Sequence, residues 1–432
     1  MRPFQQNLSN SFFATLSLPA TAMGFALSVQ IAALTWILNT KYGFDPHDIG
    51  IVWAAGPLAG IIGQVLIGII SDNVWFWNGR RRPFILVGGT IAALMLLALP
   101  NIDVIGAAMG IESLVGVAIT VALTLDLAIN ISFNPTRSLI ADVTPAGDIR
   151  TKGYTWMQTI SGFFGVCAYL IGAFVSNYVL IYVGAVLVLL FSILPILFIE
   201  EPRELTDTAE DDPNADDATQ TNLPEFLKIC FAHAFTWLGV QTMFVYTFFY
   251  IKEVIMGYGS TEELPAATND EIGFTIGIAF AVLNTVGFIL PATVLEPLAK
   301  KIGRVKTHTL CIAIMAVGYL LLVFMGQSVT SLFVLMGVVG IGWAAVVSLP
   351  FAIMSEVVDQ RKMGLYMGLF NLSVVLPQLI ASGLGVYINT AADKSTIYMI
   401  SAIALGISAV LWLLVKENQS TVSTTAGGNG AH

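Results

Sequence analysis

Long apolar runs separated by short polar segments dominate the sequence. Each run is close to the roughly 20 residues that an α-helix needs to cross the hydrocarbon core of a bilayer. Twelve spans are predicted, near 16–38, 49–71, 83–101, 112–140, 151–176, 179–199, 225–252, 272–297, 307–326, 330–354, 362–389 and 395–415. Several contain Gly, Pro or polar residues, as expected where membrane helices line a cavity. The pattern predicts an all-α polytopic membrane protein.

Composition supports this class. Of the 432 residues, 56% are hydrophobic and 11% are charged, whereas soluble domains carry about 25% charged residues. The net charge of −9 comes largely from the acidic segment 200–217, so no nucleic-acid-binding surface is implied. Cys167, Cys230 and Cys311 are isolated, which argues against a disulfide framework or a metal cluster. The polar N-terminus leads directly into a full-length span, so no cleavable signal peptide is expected.

Lysine and arginine set the predicted orientation. If the N-terminus is cytoplasmic, most basic residues fall in inner loops and at the termini, and the outer side keeps Lys41, Lys252 and Lys394. Such an asymmetry is typical of membrane proteins in this orientation. Both termini are therefore expected in the cytoplasm.

The polar segment in the middle divides the chain into two sets of six spans. We predict a six-helix bundle over 1–199, an acidic cytoplasmic linker over 200–223, a second six-helix bundle over 224–417 and a disordered tail over 418–432. The loop GIISDNVWFWNGRRRPF after the second span is echoed by PLAKKIGRVKT after the eighth. A duplicated unit of this kind is typical of transporters whose halves move around a site at mid-membrane.

The fourth span carries a line of polar residues. Asp126, Asn130, Asn134 and Arg137 share one helical face. An ionised residue near the bilayer centre costs roughly 2.5–3.5 kcal/mol, so this face must meet protein or water. The two charges lie roughly 16 Å apart along the axis, too far for a simple ion pair even if Pro135 bends the helix. A functional site is therefore favoured over a structural ion pair.

The loop after the second span contains a G-x3-D…G-R-R-R pattern. Its residues are Gly68, Asp72, Gly79, Arg80, Arg81 and Arg82. This pattern resembles the cytoplasmic loop motif of the major facilitator superfamily, and the flanking AAGPLAGIIGQVLIGIISD resembles its sucrose–proton symporter branch, which is related to the glycoside–pentoside–hexuronide cation symporters.

The fourth span carries a second match, because LDLAIN…PTRSLIAD resembles the LDLANN…P-x-R-x-LLAD pattern of that branch. The residues that keep the family spacing are Asp126, Asn130, Pro135, Arg137 and Asp142, with further matches at Gln64, Asn284, Asn371 and Gln378. The chain departs from the pattern at Ile129, where the family has Asn, and the seventh span lacks the acidic residues of the plant members. The inserted NVWFWN also lengthens the first basic loop. These differences concern the identity of the sugar more than sugar transport.

The resemblance implies roles for the charged residues. Asp126 would be the proton-binding carboxylate, and burial away from water favours the neutral form of such an acid; alternatively, a neutral Asp126 only joins two helices. Arg137 would handle substrate or gating, or else only pack against its neighbours. Asp72, Arg80, Arg81 and Asp142 would form a cytoplasmic gate, although the arginines also serve to set topology.

A sugar site needs amides for the hydroxyl groups and aromatic rings for the apolar faces. The candidate amides are Asn130, Gln30, Gln64, Gln158, Asn284, Asn371 and Gln378, and the candidate aromatic residues are Trp237, Tyr246, Phe249 and Trp343. Polar residues in membrane helices also link helices to one another, and aromatic residues often belong to the core, so only part of this set is expected to touch a ligand.

We therefore predict a secondary active transporter, a monomeric proton-coupled symporter of a disaccharide or glucoside such as sucrose or maltose, working by alternating access in the cell membrane. No cofactor or metal is expected, because the four histidines are scattered and no Walker pattern occurs. The alternatives are a sodium-coupled or non-sugar transporter and a non-transporting sugar sensor. An enzyme is disfavoured because the spans show no nucleophile–base pair.

Overall fold

The computed structural model of the chain describes residues 3–61, 70, 74–145, 148–202, 221–259, 262–358 and 363–416. These residues form helices throughout, apart from loops and an isolated bridge between Phe76 and Gly79. The main helices are α1 Asn10–Thr40, α2 Pro46–Trp53, α3 Arg82–Met109, α4 Leu114–Val143, α5 Asp148–Phe174, α6 Asn177–Phe198, α7 Leu223–Ile255, α8 Ala266–Leu290, α9 Arg304–Met325, α10 Val329–Ser355, α11 Leu365–Thr390 and α12 Thr396–Trp412.

Ten of these helices, α1 and α3 to α11, are long and apolar enough to cross a bilayer. The apolar α12 is shorter, at 17 residues, and the second span continues helically over 55–61 before residues 62–69, which lie outside the description. The prediction of an all-α polytopic membrane protein is confirmed. The count of twelve rests on ten long helices, one shorter helix and one that is described in part.

The local sequence explains where several helices begin and end. At the start of α4 the Ser113 hydroxyl accepts the amide hydrogen of Gly116, and Ser176 and Asn222 cap α6 and α7 in the same way. These side chains satisfy amide groups that lack a partner inside the helix. Gly110 ends α3 with a φ of 67°, a left-handed conformation that favours glycine.

Helix packing repeats between the two halves of the chain. In the first half, α1 packs on α5 and α6, and α3 packs on α4 and α6; in the second, α7 packs on α11 and α12, and α9 packs on α10 and α12. The halves meet where α5 contacts α8 and where α2 contacts α11. Adding six to the number of each helix in the first half gives the helix that makes the same contact in the second half. The fold is therefore built from two pseudo-symmetric bundles, as predicted.

The bundles have two polar faces. The termini face is the end of the bundles where residues 10, 143, 198, 223 and 412 lie. There Gln5 and Glu200 form two hydrogen bonds with each other, of 2.9 and 3.0 Å. On the opposite face, which holds residues 40, 109, 174, 255 and 390, Lys41 pairs with Asp103 at 3.1 Å. Residues 203–220 and 417–432, which include most of the predicted linker and the predicted tail, lie outside the described residues.

The first residues of the predicted linker pack against the first bundle. The Glu201 carboxylate accepts the backbone amide hydrogens of Arg80, Arg81 and Arg82, with N···O distances of 2.6, 2.8 and 2.6 Å. These amides lie at the start of α3, where the helix dipole favours a negative charge. The end of α6 is thereby joined to the start of α3.

Replacing Glu201 with Ala is expected to destabilise the protein by about 1–3 kcal/mol, because three amide groups lose a charged acceptor. The apparent melting temperature of the purified protein in detergent measures this. Replacing Glu296 with Ala is the control, since it breaks only an exposed pair with Lys300, and exposed ion pairs add little to stability. Equal melting temperatures of the two variants would contradict the expected role of Glu201.

Candidate functional site

The Asp126 carboxyl group lies inside the first bundle. Asp126 is 6% exposed, and its Oδ2 accepts a hydrogen bond of 3.0 Å from Nε2 of Gln30 on α1. Gly56 of the second span lies against the same atom, since a Cβ at Gly56 would stand 3.2 Å from Oδ2. The carboxyl group is therefore enclosed by α1, α4 and the second span.

Helix α4 runs without a break through Pro135. One turn after Asp126, the Asn130 side chain turns back to its own helix, where Nδ2 donates to the Asp126 carbonyl at 2.8 Å. Asn130 thus lies next to Asp126, as predicted, but its amide nitrogen serves the backbone rather than the carboxyl group.

Arg137 lies three turns after Asp126 along α4, toward the termini face. Its side chain is exposed, and the guanidinium carbon lies 4.3 Å from the centre of the Phe133 ring. The Tyr154 hydroxyl of α5 donates to the Arg137 carbonyl at 3.2 Å. In the described part of the chain, Arg137 forms no ion pair with Asp126 or with any other carboxylate.

Three of the four predicted gate residues lie together at the termini face. Arg81 Nε and Asp142 Oδ2 are 3.1 Å apart, and both side chains are largely buried. The neighbouring Arg80 binds Glu201 through its backbone amide. These contacts join α3 to α4 and α6 within the first bundle. The fourth residue, Asp72, lies outside the described residues, as does Gln64.

The second bundle contains a connected group of indoles and an amide. Trp343 Nε1 donates to Asn284 Oδ1 at 3.2 Å, and the Trp237 ring meets Trp343 edge to face at a centroid distance of 6.1 Å. Asn284 also donates to the Phe280 carbonyl. Tyr169 of α5 contacts the Phe280 ring at 5.9 Å, so this group lies where the two bundles meet.

The remaining candidates are more scattered. Gln378 of α11 donates to Gln241 of α7 at 3.2 Å, and the buried Gln241 is a residue that the sequence analysis missed. Asn371 is half-buried on α11 and Gln158 is exposed on α5. Two groups of candidates are thus connected by contacts, Gln30, Asp126 and Asn130 in the first bundle and Trp237, Asn284 and Trp343 in the second. No such contact joins Gln158, Asn371 or Gln378 to either group among the described residues.

Two candidate aromatic residues, Tyr246 and Phe249, belong to the packed core and not to the group around Trp343. Tyr246 is fully buried and its hydroxyl donates to the Ser382 carbonyl at 2.6 Å, and Phe249 is also fully buried. Within the described residues, no group of three or more His, Cys, Asp or Glu side chains could hold a metal ion.

Hydrogen bonds join the two bundles near the opposite face. They run from Thr35 Oγ1 to the Val245 carbonyl (3.1 Å), from Trp36 Nε1 to the Asn269 carbonyl (3.0 Å), from Lys252 Nζ to Asn39 Oδ1 (3.0 Å) and from Asn389 Nδ2 to Asp45 Oδ2 (2.8 Å). These bonds hold the bundles together at this face.

Backbone contact closes the same face. A Cβ at Gly50 would lie 2.2 Å from the Ser382 carbonyl oxygen, and one at Gly385 would lie 2.3 Å from the carbonyl oxygen of Pro46. Only glycine therefore allows α2 and the end of α11 to approach this closely. The two bundles are therefore in direct backbone contact at the opposite face.

Comparison with known proteins gives the family. The Major Facilitator Superfamily model matches residues 16–373 and 264–431. A sucrose transport protein of Arabidopsis thaliana is 23% identical over 88% of this chain and 84% of its own length, and a general alpha-glucoside permease of Schizosaccharomyces pombe is 33% identical over 39% of this chain and 32% of its own. The solved structure of a nucleoside transporter superposes with a TM-score of 0.71 at 13% identity, covering 94% of this chain and 99% of the other.

These matches confirm the predicted resemblance to sucrose transporters and the prediction of a transporter rather than an enzyme. Since the family match covers most of the chain, and the described helices have the fold of a superfamily transporter, the chain belongs to the Major Facilitator Superfamily.

Proposed function

We propose that the protein is a proton-coupled symporter of a disaccharide or glucoside. The observation that carries this proposal is the enclosed carboxyl group of Asp126, hydrogen-bonded to Gln30 inside the first bundle. The relatives named as sucrose and alpha-glucoside transporters support the choice of substrate. Sodium coupling is the competing possibility, which the transport assay below separates.

The geometry at Asp126 suits a proton carrier. Gln30 donates to Oδ2, so the carboxyl group can hold its proton on Oδ1 and keep this hydrogen bond. Losing the proton here would leave an uncompensated charge in the protein interior, which is costly. Asp126 is therefore expected to release its proton only in a conformation that brings water or a cation to it.

The group around Trp343 suits a sugar. Sugars offer hydroxyl groups around apolar ring faces, and such sites combine aromatic surfaces with a few convergent polar groups. Trp237, Trp343 and Asn284 provide this combination in the second bundle. Arg137 adds guanidinium donors from the first bundle. A sugar bound between the bundles would contact the group around Trp343 on one side and Arg137 on the other.

Alternating access supplies the transport step. The bundles over 1–199 and 224–417 would move as units joined by the linker 200–223, with 418–432 as a tail. Opening the opposite face would break the bonds of Thr35, Trp36, Lys252 and Asn389. We assign the termini face to the cytoplasm and both termini with it, so that the structure represents a state closed to the outside. A single chain in the cell membrane would suffice.

The test is counterflow in proteoliposomes. Vesicles loaded with unlabelled sucrose or maltose should take up the labelled sugar in sodium-free buffer, and vesicles without protein should not. An imposed inward proton gradient should then drive net accumulation. Absence of counterflow across a panel of disaccharides and glucosides would contradict sugar transport, and an absolute need for sodium would contradict proton coupling.

A further inference from the structure

His233 is fully buried on α7, one helical turn before Trp237. Its Nε2 lies 2.9 Å from Trp237 Nε1. An indole nitrogen can only donate a hydrogen bond, so His233 Nε2 is the acceptor and its imidazole is neutral, with the proton on Nδ1. The imidazole is also stacked on Phe370 of α11, with ring centroids 4.9 Å apart and an interplanar angle of 11°. Its orientation is thus fixed from two sides.

A continuous series of contacts leads from this imidazole to the proposed sugar site. His233 holds the indole nitrogen of Trp237, the Trp237 ring meets Trp343 edge to face, and Trp343 donates to Asn284. A rotation of the Trp237 indole would therefore change the surface that Trp343 and Asn284 present. The acceptor at His233 limits that rotation.

Burial alone does not give a histidine this role. His308 of α9 is also fully buried, and its ring packs against Trp412 with centroids 4.4 Å apart. Among the described residues, no hydrogen bond joins either of its nitrogens to Trp237, Trp343 or Asn284. His308 therefore serves as a matched control: a buried imidazole in the same bundle that has no hydrogen bond to the indole series.

We propose that His233 is a positioning residue for the sugar site, whose Nε2 holds the Trp237 indole in the orientation that binds the sugar. This inference rests on the proposed function. It assigns a role to His233, which would act on the sugar only through Trp237. It predicts that sugar affinity depends on a hydrogen-bond acceptor at position 233 rather than on the bulk of the side chain.

Three substitutions separate the acceptor from the packing. His233→Phe keeps a ring that can stack on Phe370 but has no acceptor, and His233→Gln can place its Oε1 near the position of Nε2. Trp237→Phe removes the donor and leaves His233 intact. Counterflow of labelled sugar in proteoliposomes gives KM and the maximal rate for each variant, and the apparent melting temperature reports on folding.

His233→Phe is expected to raise the KM for sugar by about three- to ten-fold, the effect of one lost hydrogen bond, with little change in the maximal rate. His233→Gln should stay near the wild-type KM, and His308→Phe should leave KM unchanged. The double variant of His233→Phe with Trp237→Phe should resemble Trp237→Phe alone, because both changes remove the same bond.

An unchanged KM in His233→Phe, or an equal rise in His233→Gln or His308→Phe, would overturn the positioning role. If His233→Phe does not fold, His233→Leu takes its place, since it also lacks an acceptor, leaves Trp237 intact and must raise KM in the same way. A wild-type protein without counterflow would overturn the proposed function, and with it this inference. Normal wild-type counterflow with insensitive variants would overturn the inference alone.

Discussion

Replacing Asp126 with Asn is expected to abolish proton-driven sugar accumulation and to leave counterflow measurable. The Asn oxygen can still accept the hydrogen bond from Gln30, which is 3.0 Å in the native protein, so the local packing is kept. An amide cannot bind and release a proton at working pH. A membrane potential of 100 mV gives about 2.3 kcal/mol per charge, or about a fifty-fold gradient at one proton per sugar. That gradient should vanish in the variant.

Asp103→Asn is the matched control, because Asp103 is an exposed acid on the opposite face that pairs with Lys41. Its accumulation ratio should equal that of the wild type. Sugar uptake driven by an imposed potential and pH gradient measures both variants. Wild-type accumulation by the Asp126→Asn protein would show that another group carries the proton.

Replacing Arg137 with Gln is expected to weaken sugar binding by about ten- to a hundred-fold, the range for losing hydrogen bonds to a charged group. The guanidinium is exposed within a membrane span, and in the described residues it contacts Phe133 but no carboxylate. A cation in this setting is usually part of a transport route. Arg137→Lys should recover only part of the affinity, since an ammonium lacks the planar set of donors.

Lys152→Gln is the control for Arg137. Lys152 is an exposed cation whose ammonium lies 4.9 Å from the centre of the Phe13 ring, a similar environment at the start of α5. Its loss should leave KM for counterflow unchanged. An unaltered KM in Arg137→Gln, or an equal rise in Lys152→Gln, would place the sugar away from Arg137.

The positions of the helices could be predicted from the sequence because the length of an apolar run follows from the thickness of a bilayer. The exact ends of some helices could not be predicted in this way. The third span was predicted to end at 101, yet α3 continues to Met109 through a tight turn over Leu99–Asn101. The seventh was predicted to end near 252 and α7 reaches Ile255, which agrees within a turn; the buried Lys252 near this end has partners in Asn39 and in the Glu262 carbonyl.

The site could be predicted only in part. The common face of Asp126 and Asn130 follows from helical spacing, and the structure places the two side by side. The partner of Asp126 is Gln30, 96 residues earlier, a contact that only helix packing creates. Neither His233 nor Gln241 could be chosen as a site candidate from the sequence, because single polar residues in apolar spans give no sign of the direction they face. The i, i+4 spacing of His233 and Trp237 was the available signal.

The most direct test of the account is proton movement caused by sugar itself. Proteoliposomes with a pH-sensitive dye inside, equal pH on both sides and no sodium should acidify inside when sucrose or maltose is added outside. The Asp126→Asn protein should give no such signal while it still exchanges sugar. Sugar entry into wild-type vesicles without acidification, or equal acidification with the variant, would contradict coupling through Asp126.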